Sequence, residues 1–468
     1  MMEGSGSPGE NLLVMSTFMP YVPDQPFLLP PDMRDWLPEG HLALCVSDLV
    51  DTLDLSDICR VYENDGRGHP AYHPRMMVKL LVYGYCVGVW SSRRIEQATW
   101  TDVAFRVLGA NQHPDHDTIA AFRQRHLKVF RRLFVQVLKL CQAAGLVKLG
   151  RVALDGTKMK ANASKHKAMS YDRMLKKEKQ LQAEIDKLFR QAEKTDAAED
   201  ARLGKGNRED SLPEELKRRE SRLKKIQEAK ALLEAEAKAQ ARREAEERET
   251  KGKGSGSGGG SPAPDPDEAV PKPNAQKNFT DPDSRIMWNS SGKCFEQAYN
   301  AQVVVDEESQ VIIASSVTQE ANDKAQLVPM LKLAAGNVGH MPGVILADAG
   351  YFSGRAVTDE VFSHSDLYVS PDRCKHGQEP PLAMGPPPLE ASVAARMRYK
   401  LRTHEGREVY KRRKTIEAVF GQIKEARGFR RFSLRGLDRV AAEWDLVCLA
   451  HNITKLFRSG WSPAPGQA

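Results

Sequence analysis

Arg151-Val152-Ala153-Leu154-Asp155-Gly156 is an apolar run that ends in an acid and is followed by glycine. A short apolar run bounded by a turn residue predicts a buried β-strand. Similar runs come much later in the chain, at Ala301–Asp306, Val311–Val317, Val344–Asp348 and Leu367–Ser370. The apolar spacing is helical at Leu327–Ala335 and again after Arg407. Strands mixed with helices predict a layered α/β domain.

The chain before this first strand has a helical pattern from about Pro31 to Gly145. Pro74 begins an apolar run, Ser91 and Ser92 are suitable helix caps, and Asp117 is suitable to cap a long helix over Thr118–Cys141. These features predict a small all-α domain. Its last helix carries five cations, which form either a DNA-gripping face, as in helix-turn-helix domains, or the charged outer face of a bundle. They are Arg123, Arg125, Lys128, Arg131 and Arg132.

A long charged insertion separates the first strand from the others. Leucine, isoleucine or methionine recurs every seven residues in three sets, which are Met174, Leu181 and Leu188, then Leu216 and Leu223, then Ile226 and Leu233. This heptad spacing among charged residues predicts an antiparallel, coiled-coil-like helical hairpin that turns between Asp196 and Asp210. The Gly-, Ser- and Pro-rich stretch Lys251–Pro273 predicts a flexible linker.

The positive charge of the chain is concentrated near its end. Eleven Lys or Arg residues and four Asp or Glu residues lie between Arg407 and Arg439, and this local excess equals the formal net charge of +7 for all 468 residues. The segment is either a nucleic-acid-binding surface or a solvated charged face. The seven cysteines are far apart and form no zinc-binding pattern, which indicates reduced thiols in an intracellular protein. The longest apolar stretch, Leu80–Trp90, is too short to cross a membrane.

Two acids end apolar runs, Asp155 in the first and Asp348 in Val344–Tyr351. A third acid, Glu417, lies in the basic segment Tyr410–Lys424. An α-helical count of about 100° per residue places Val409, Ile416, Phe420 and Ile423 on one stripe and Tyr410, Arg413, Glu417 and Lys424 on a neighbouring stripe. The first stripe would pack on a sheet, and the second would present either chemistry or an ordinary salt-bridged surface.

Tyr410, Arg413, Glu417 and Lys424 have a spacing that resembles the Y-(2)-R-(3)-E-(6)-K signature of bacterial insertion-sequence DDE transposases. The segments Leu154–Thr157 and Ala347–Tyr351 resemble the two aspartate motifs of that family. Val419–Phe432 and Ala450-His451-Asn452 are also similar to it. The resemblance extends over about 16–458, excluding the insertion and the linker.

The resemblance implies a ribonuclease-H-like core with Asp155 on the first strand, Asp348 after the fourth and Glu417 on a late helix. These three acids would hold two Mg²⁺ ions, for which Mn²⁺ can substitute, because hard divalent ions prefer carboxylate oxygens. Such ions activate water or a 3′-hydroxyl and stabilise the leaving oxygen in phosphodiester cleavage and strand transfer.

The resemblance also implies the partners. The DNA partners would be the terminal inverted repeats and the target. Tyr410, Arg413 and Lys424 would bind the DNA backbone, and Arg430 and Arg431 would extend this contact. A homodimer in a synaptic complex, in the bacterial cytoplasm and without membrane contact, is expected. Relatives with a cysteine-rich segment bind zinc there, but the equivalent stretch here has only Cys374, so no zinc element is expected.

The predicted domain map has six parts. They are a disordered tail (1–15), an N-terminal helical DNA-binding domain (16–146), a catalytic core (147–163 and 285–458), a charged helical hairpin (164–250), a flexible linker (251–284) and a C-terminal tail (459–468).

Three alternatives to a transposase can be compared with the sequence. A nuclease of the same fold would cut DNA without joining it, and a DNA-binding regulator derived from a transposase would do neither. A coiled-coil scaffold, suggested by Leu175–Ala237, explains neither the strands nor the basic helix.

Overall fold

The computed structural model describes residues 32–62, 70–203, 214–252, 265–289, 292–373, 380–385 and 390–462, with the backbone alone at 191–203, 214–215 and 247–252. The predicted tail 1–15, the glycine-rich part of the linker and Cys374 lie outside these residues. The tip of the helical hairpin, 204–213, lies outside them as well.

The region before the first strand consists of helices. They are α1 (Leu42–Thr52), α2 (Ser56–Cys59), α3 (Pro74–Val87), α4 (Ser92–Thr101), α5 (Val103–Leu108), α6 (His116–Arg125) and α7 (Leu127–Ala143). Pro74 stands at the start of α3, where its missing N–H costs nothing, and Gly88 ends that helix in the left-handed conformation at φ 81°.

The predicted helix Thr118–Cys141 is two helices. Asp115, and not Asp117, caps the first of them, because the Thr118 N–H donates to Asp115 Oδ1 at 2.8 Å. The chain leaves the helical conformation at His126 and starts again at Leu127. None of the helices in the described parts of the chain is both long and apolar enough to span a bilayer.

Within the described residues, eight strands follow, in two sheets. They are β1 (Arg151–Lys160), β2 (Ala168–Ser170), β3 (Gln276–Asn278), β4 (Arg285–Asn289), β5 (Cys294–Asp306), β6 (Ile312–Thr318), β7 (Val344–Ala347) and β8 (Asp366–Val369). The main sheet has the order β4-β5-β1-β7-β8, with β6 also paired to β5. Strands β4, β5 and β6 pair antiparallel, whereas β7 is parallel to β1 and β8 is parallel to β7. The prediction of an α/β domain with a mixed sheet is confirmed.

Eight further helices complete the described chain. They are α8 (Tyr171–Leu203), α9 (Glu214–Gly252), α10 (Leu327–Val338), α11 (Gly354–Val357), α12 (Val393–Arg402), α13 (His404–Lys411), α14 (Thr415–Gly421) and α15 (Leu437–Arg458). Helix α15 lies between the N-terminal helices and the sheet, since it contacts α3, α7 and β6. One hydrophobic core therefore runs from α1 to α15 through the sheet.

The insertion forms the predicted pair of helices, α8 and α9, and has its own small core. Met174, Leu181 and Leu223 are among the buried side chains that make up this second cluster. The heptad residues therefore face the partner helix, as their spacing predicts. Helix α8 runs on to Leu203, beyond Asp196, where the turn was expected to begin.

The flexible linker was predicted to cover 251–284, but its C-terminal part belongs to the folded structure. Strand β3 within it pairs with β2 at the base of the hairpin. Lys277, Asn278 and Asp281 are buried there, and Asp281 accepts hydrogen bonds from the Tyr299 hydroxyl and the Gly436 N–H. These partners are distant in the sequence, so composition alone did not reveal that 276–284 is packed structure.

The hairpin can be removed without opening the main core, because its buried residues form a separate cluster. Its two ends are adjacent, since the Tyr171 N–H donates to the Ala275 carbonyl at 2.8 Å. Replacing 172–273 by a Gly/Ser linker of about four residues should leave one cooperative melting transition, with Tm changed by less than about 5 °C. Calorimetry measures this.

A longer deletion, 165–281, is the matched control. It also removes Asp281, the acceptor of the buried Tyr299 hydroxyl, and should lower Tm clearly further. Loss of cooperative melting in the shorter deletion would show that the hairpin belongs to the main core.

Candidate active site

Strand register brings Asp155 and Asp348 together. Leu154 pairs with Ala347 in the parallel ladder between β1 and β7, and the two aspartates are the next residues on each strand. Adjacent strands lie about 4.8 Å apart, so the two carboxylates meet at the carboxyl edge of the sheet. The structure therefore joins two acids that are far apart in the sequence.

Each aspartate is oriented by a backbone N–H. Gly156 donates to Asp155 Oδ1 and Gly350 donates to Asp348 Oδ1, both at 2.8 Å. Burial, and then the neighbouring Asp348 carboxylate, raise the pKa of Asp155 to about 7, while the Arg413 guanidinium acts in the opposite direction. Two carboxylates held this close repel each other, so a cation between them would be favourable.

A further acid, Asp323, lies at the same edge of the sheet. Its Oδ1 accepts hydrogen bonds from Asn300 Nδ2 at 2.6 Å and Gln302 Nε2 at 2.7 Å. The Lys158 ammonium lies 3.7 Å from the same oxygen. Asp323 also adds to the negative field at Asp155.

The sequence analysis missed Asp323, because it lies in the loop between β6 and α10 and belongs to no motif. A signal was present in β5, where Asn300 and Gln302 are fully buried and alternate with the buried apolar residues Ala301 and Val303. Buried side-chain amides need polar partners. Those two amides therefore indicated a polar residue nearby.

Two glycines make room for these groups. A Cβ at Gly156 would lie 2.2 Å from Gln302 Nε2 and 2.9 Å from Asn300 Oδ1. A Cβ at Gly350 would lie 2.9 Å from Asp348 Oδ1 and 3.4 Å from Asp323 Oδ2. The glycine one residue after Asp155 and the glycine two residues after Asp348 are thus explained by close approach of side chains.

The basic segment is not one regular helix. Helix α13 is followed by a 3-10 turn (Arg412–Lys414), then α14, then a π-helical turn (Gln422–Ala426). Its fully buried residues are Ile416, Val419 and Ile423, whereas Val409 and Phe420 are half-buried. All four residues of the predicted apolar stripe pack on the main core, so the packing face is confirmed, and the fully buried Val419 widens it.

Glu417 lies exposed on α14, which packs against β1. Among the residues that the structure describes, no group of three or more His, Cys, Asp or Glu side chains is spaced to hold a metal ion. The structure thus brings Asp155 and Asp348 together and does not join Glu417 to them.

Lys424 reaches the aspartate strand from the π-helical turn. Its ammonium donates to the Thr157 hydroxyl and, at 3.3 Å, to the Lys158 carbonyl. It also interacts electrostatically with Asp155. The predicted cation therefore stands beside the candidate site, anchored on β1.

Tyr410 and Arg413 line a cavity of about 440 Å³ next to this site. The Arg413 guanidinium carbon lies 5.7 Å from the centre of the Tyr410 ring. Most of the remaining polar side chains around the cavity are cationic, namely Arg398, Arg402, Arg407, Lys411 and Lys414. A cavity with this lining suits an anion.

Arg430 and Arg431 are exposed beyond the π-helical turn. Arg430 pairs with Glu425, and the Arg431 guanidinium donates to the Asn162 side chain. Both cations remain accessible on the surface that continues from Lys424.

The five cations of α6 and α7 divide into two kinds. Arg123 is buried and donates to the Tyr85 hydroxyl at 3.2 Å and the Trp90 carbonyl at 3.0 Å, so the suggestion that it grips DNA was wrong. The other four are exposed, namely Arg125, Lys128, Arg131 and Arg132. Helical position did not reveal this difference, because it depends on what packs against α6.

The aspartate pair fits a hard divalent cation. Both ligands are carboxylates, which Mg²⁺ and Mn²⁺ prefer. The mutual repulsion that raises the pKa of Asp155 is the repulsion that a bound cation would relieve.

Comparison with known families gives two matches. Residues 31–125 match a family described as Transposase domain (DUF772), and residues 269–453 match one described as Transposase DDE domain. Asp348 and Glu417 fall within the second match, whereas Asp155 lies between the two. No curated protein and no solved structure matches the chain.

The close approach of the Gln302 side chain to Gly156 is testable. Gly156→Ala forces Gln302 away from Asp323, and should lower the free energy of unfolding by about 1–3 kcal/mol. Gly336→Ala is the matched control, because a Cβ at this exposed position in α10 meets nothing within 4 Å. That substitution should be neutral or stabilise by up to about 1 kcal/mol. Urea unfolding measures both, and equal stabilities would contradict the assigned close approach.

Proposed function

We propose that this chain, which contains two transposase domains, is a DNA transposase that binds the ends of an insertion sequence and cleaves and rejoins phosphodiester bonds. The observation that carries the proposal is the pairing of Asp155 with Asp348 at the edge of a mixed sheet. Three cations, Lys158, Arg413 and Lys424, interact electrostatically with this pair or with Asp155. Carboxylates for metal ions beside cations for phosphate suit phosphodiester chemistry.

A ribonuclease-H-like fold is part of the proposal. In the main sheet, β1, β5 and β6 are joined antiparallel, and β7 and β8 then continue parallel to β1 on its other side. Asp155 on the first of these five strands and Asp348 directly after the fourth agree with the order that the resemblance implies.

Asp155, Asp348 and Glu417 would hold two divalent ions, Mg²⁺ or Mn²⁺. When bound, such ions supply an activated water or 3′-hydroxyl and stabilisation of the leaving oxygen. Glu417 has to approach the aspartates for this. Its helix is bounded by a 3-10 turn and a π-helical turn, which are common at sites where a helix adjusts during function.

The cations of the chain would bind and orient the DNA backbone. Lys424 is held on β1 by Thr157, so its ammonium needs little reorganisation to meet a phosphate beside Asp155. Arg413 and Tyr410 would contact neighbouring phosphates at the cationic cavity, and Arg430 and Arg431 would extend the contact. Two copies of the chain would act together in a synaptic complex on the two element ends.

The exposed position of Glu417 favours one second candidate, a DNA-binding regulator derived from a transposase. Such a protein keeps the basic surface but does not assemble three carboxylates. An assay of DNA cleavage distinguishes the two candidates, because the transposase cuts DNA and the regulator only binds it.

The carboxylate assignment predicts the behaviour of isosteric variants. Glu417→Gln, Asp155→Asn and Asp348→Asn should each lower cleavage of a labelled element-end duplex in Mg²⁺ by at least about 100-fold, while binding in Ca²⁺ persists. Because the acids act as a unit, the double aspartate variant should be hardly worse than either single one.

Glu408→Gln is the matched control, since Glu408 is equally exposed on α13 and pairs with Lys411. It should cleave normally. Full cleavage by Glu417→Gln would remove Glu417 from the site, and a parent protein that binds ends but never cuts in Mg²⁺ or Mn²⁺ would favour the regulator.

The basic surface predicts a dependence of binding on salt. Replacing Arg430 and Arg431 by Gln should reduce the slope of log affinity against log salt concentration by about 1–2, because fewer counterions are released from DNA. Lys224 and Lys225, which are exposed on the hairpin, provide the matched double substitution to Gln. An unchanged slope in the arginine variant would mean that these side chains do not contact phosphate.

A further inference from the structure

We propose that Lys158 is a further phosphate-binding residue of the Asp155–Asp348 site, and that Asp323 positions it. The proposal rests on the proposed function, since the phosphate is that of the DNA strand to be cut. Neither residue belongs to the acidic triad or to the signature of the basic segment.

Lys158 stands three residues after Asp155 on the same strand. Successive side chains of a strand point to opposite faces, so Lys158 lies on the face of β1 opposite to Thr157, which holds Lys424. By the same alternation Asp155 lies on the face of Thr157, so Lys158 approaches the pair from the opposite face, where its charge still interacts with Asp155 and Asp348. Lys158 and Asp323 are 22% and 21% exposed, so a ligand can reach them from solvent.

Asp323 has little freedom to move. Its Oδ1 is bound by the fully buried amides of Asn300 and Gln302. The orientation of Gln302 is set in turn, because its Oε1 accepts the hydroxyl of the buried Tyr351 and its Nε2 must then face Asp323. A buried network thus fixes the carboxylate that holds Lys158.

The ion pair with Asp323 determines the position of the Lys158 ammonium. The ammonium is attracted by Asp323 and also by Asp155 and Asp348. Without Asp323 it would be drawn onto the aspartate pair and would compete there with a metal ion. With Asp323 it stays 3.7 Å from that carboxylate, beside the pair.

A lysine ammonium has three N–H donors, and one ion pair leaves it able to donate to a phosphate oxygen as well. A phosphate bound at the edge of the sheet beside Asp155 and Asp348 would be within the range of this charge, which already interacts with both carboxylates. Lys158 would then stabilise the phosphate where negative charge increases during the reaction.

The first test measures metal binding by the DNA-free full-length protein, with Mn²⁺ as the probe and electron paramagnetic resonance as the readout. Lys158→Met should bind Mn²⁺ as well as the parent or more tightly. Asp323→Asn should bind about tenfold more weakly, since Lys158 then pairs with the aspartates. Adding Lys158→Met to Asp323→Asn should restore the affinity, a recovery that a merely structural role of Asp323 does not produce.

The second test measures cleavage of the element-end duplex. Lys158→Met should lower kcat by about 10- to 100-fold with little change in KM, and Lys158→Arg should recover most of the loss. Lys160→Met is the matched control, because Lys160 lies two residues further along β1 and pairs with Glu296. It should leave metal binding and cleavage unchanged.

Two results would overturn this assignment alone. The first is normal cleavage by Lys158→Met. The second is a double variant that binds Mn²⁺ no better than Asp323→Asn, provided that both variants melt at the same temperature as the parent. A parent protein that neither binds Mn²⁺ nor cleaves DNA would overturn the proposed function and this assignment together.

Discussion

The parallel register between β1 and β7 is the constraint on which the candidate site depends. Pairing of Leu154 with Ala347 places Asp155, in the middle of β1, beside Asp348, which directly follows β7. The two half-buried carboxylates repel each other, and the sheet holds them side by side against this repulsion. A shift of one residue in register would turn one carboxylate to the opposite face. The core that fixes the register is therefore also what fixes the site.

The residues around the pair are arranged on both faces of β1. Lys424 is tied to one face through Thr157, and Lys158 is tied to the other through Asp323. The glycines after the two aspartates leave space where side chains must pass close to the backbone. Lys424 and Lys158 are thus each held near the carboxylates by a separate partner. Because neither lysine pairs with these two aspartates directly, the aspartates remain accessible to metal ions.

Three polar residues of α15, namely Glu443, His451 and Asn452, hold the fold together through hydrogen bonds to distant segments. The Asn452 side chain exchanges hydrogen bonds with the backbone N–H and carbonyl of Ile312, and so covers part of β6. His451 bonds the carbonyl of Gln310, which has a positive φ of 63°. Glu443 accepts from Tyr85 of α3 and from the backbone of Ser433, which joins the N-terminal helices to the basic segment. These contacts make the helical region and the sheet one core.

The sequence by itself was sufficient for features that depend on nearby residues. The apolar runs predicted the strands of the main sheet except β4, and the heptads predicted the α8–α9 pair. The prediction that an acid ends its strand is confirmed for Asp348 and was wrong for Asp155, because β1 continues to Lys160 through pairing with the distant strand β5. Tertiary structure alone decided that Asp323 joins the site, that Arg123 is buried, and that Lys424 bonds Thr157, 267 residues away. The physical reason is that strand and helix periodicity are local properties of the backbone, whereas burial, ion pairing and close approach depend on which distant segment packs against a given side chain.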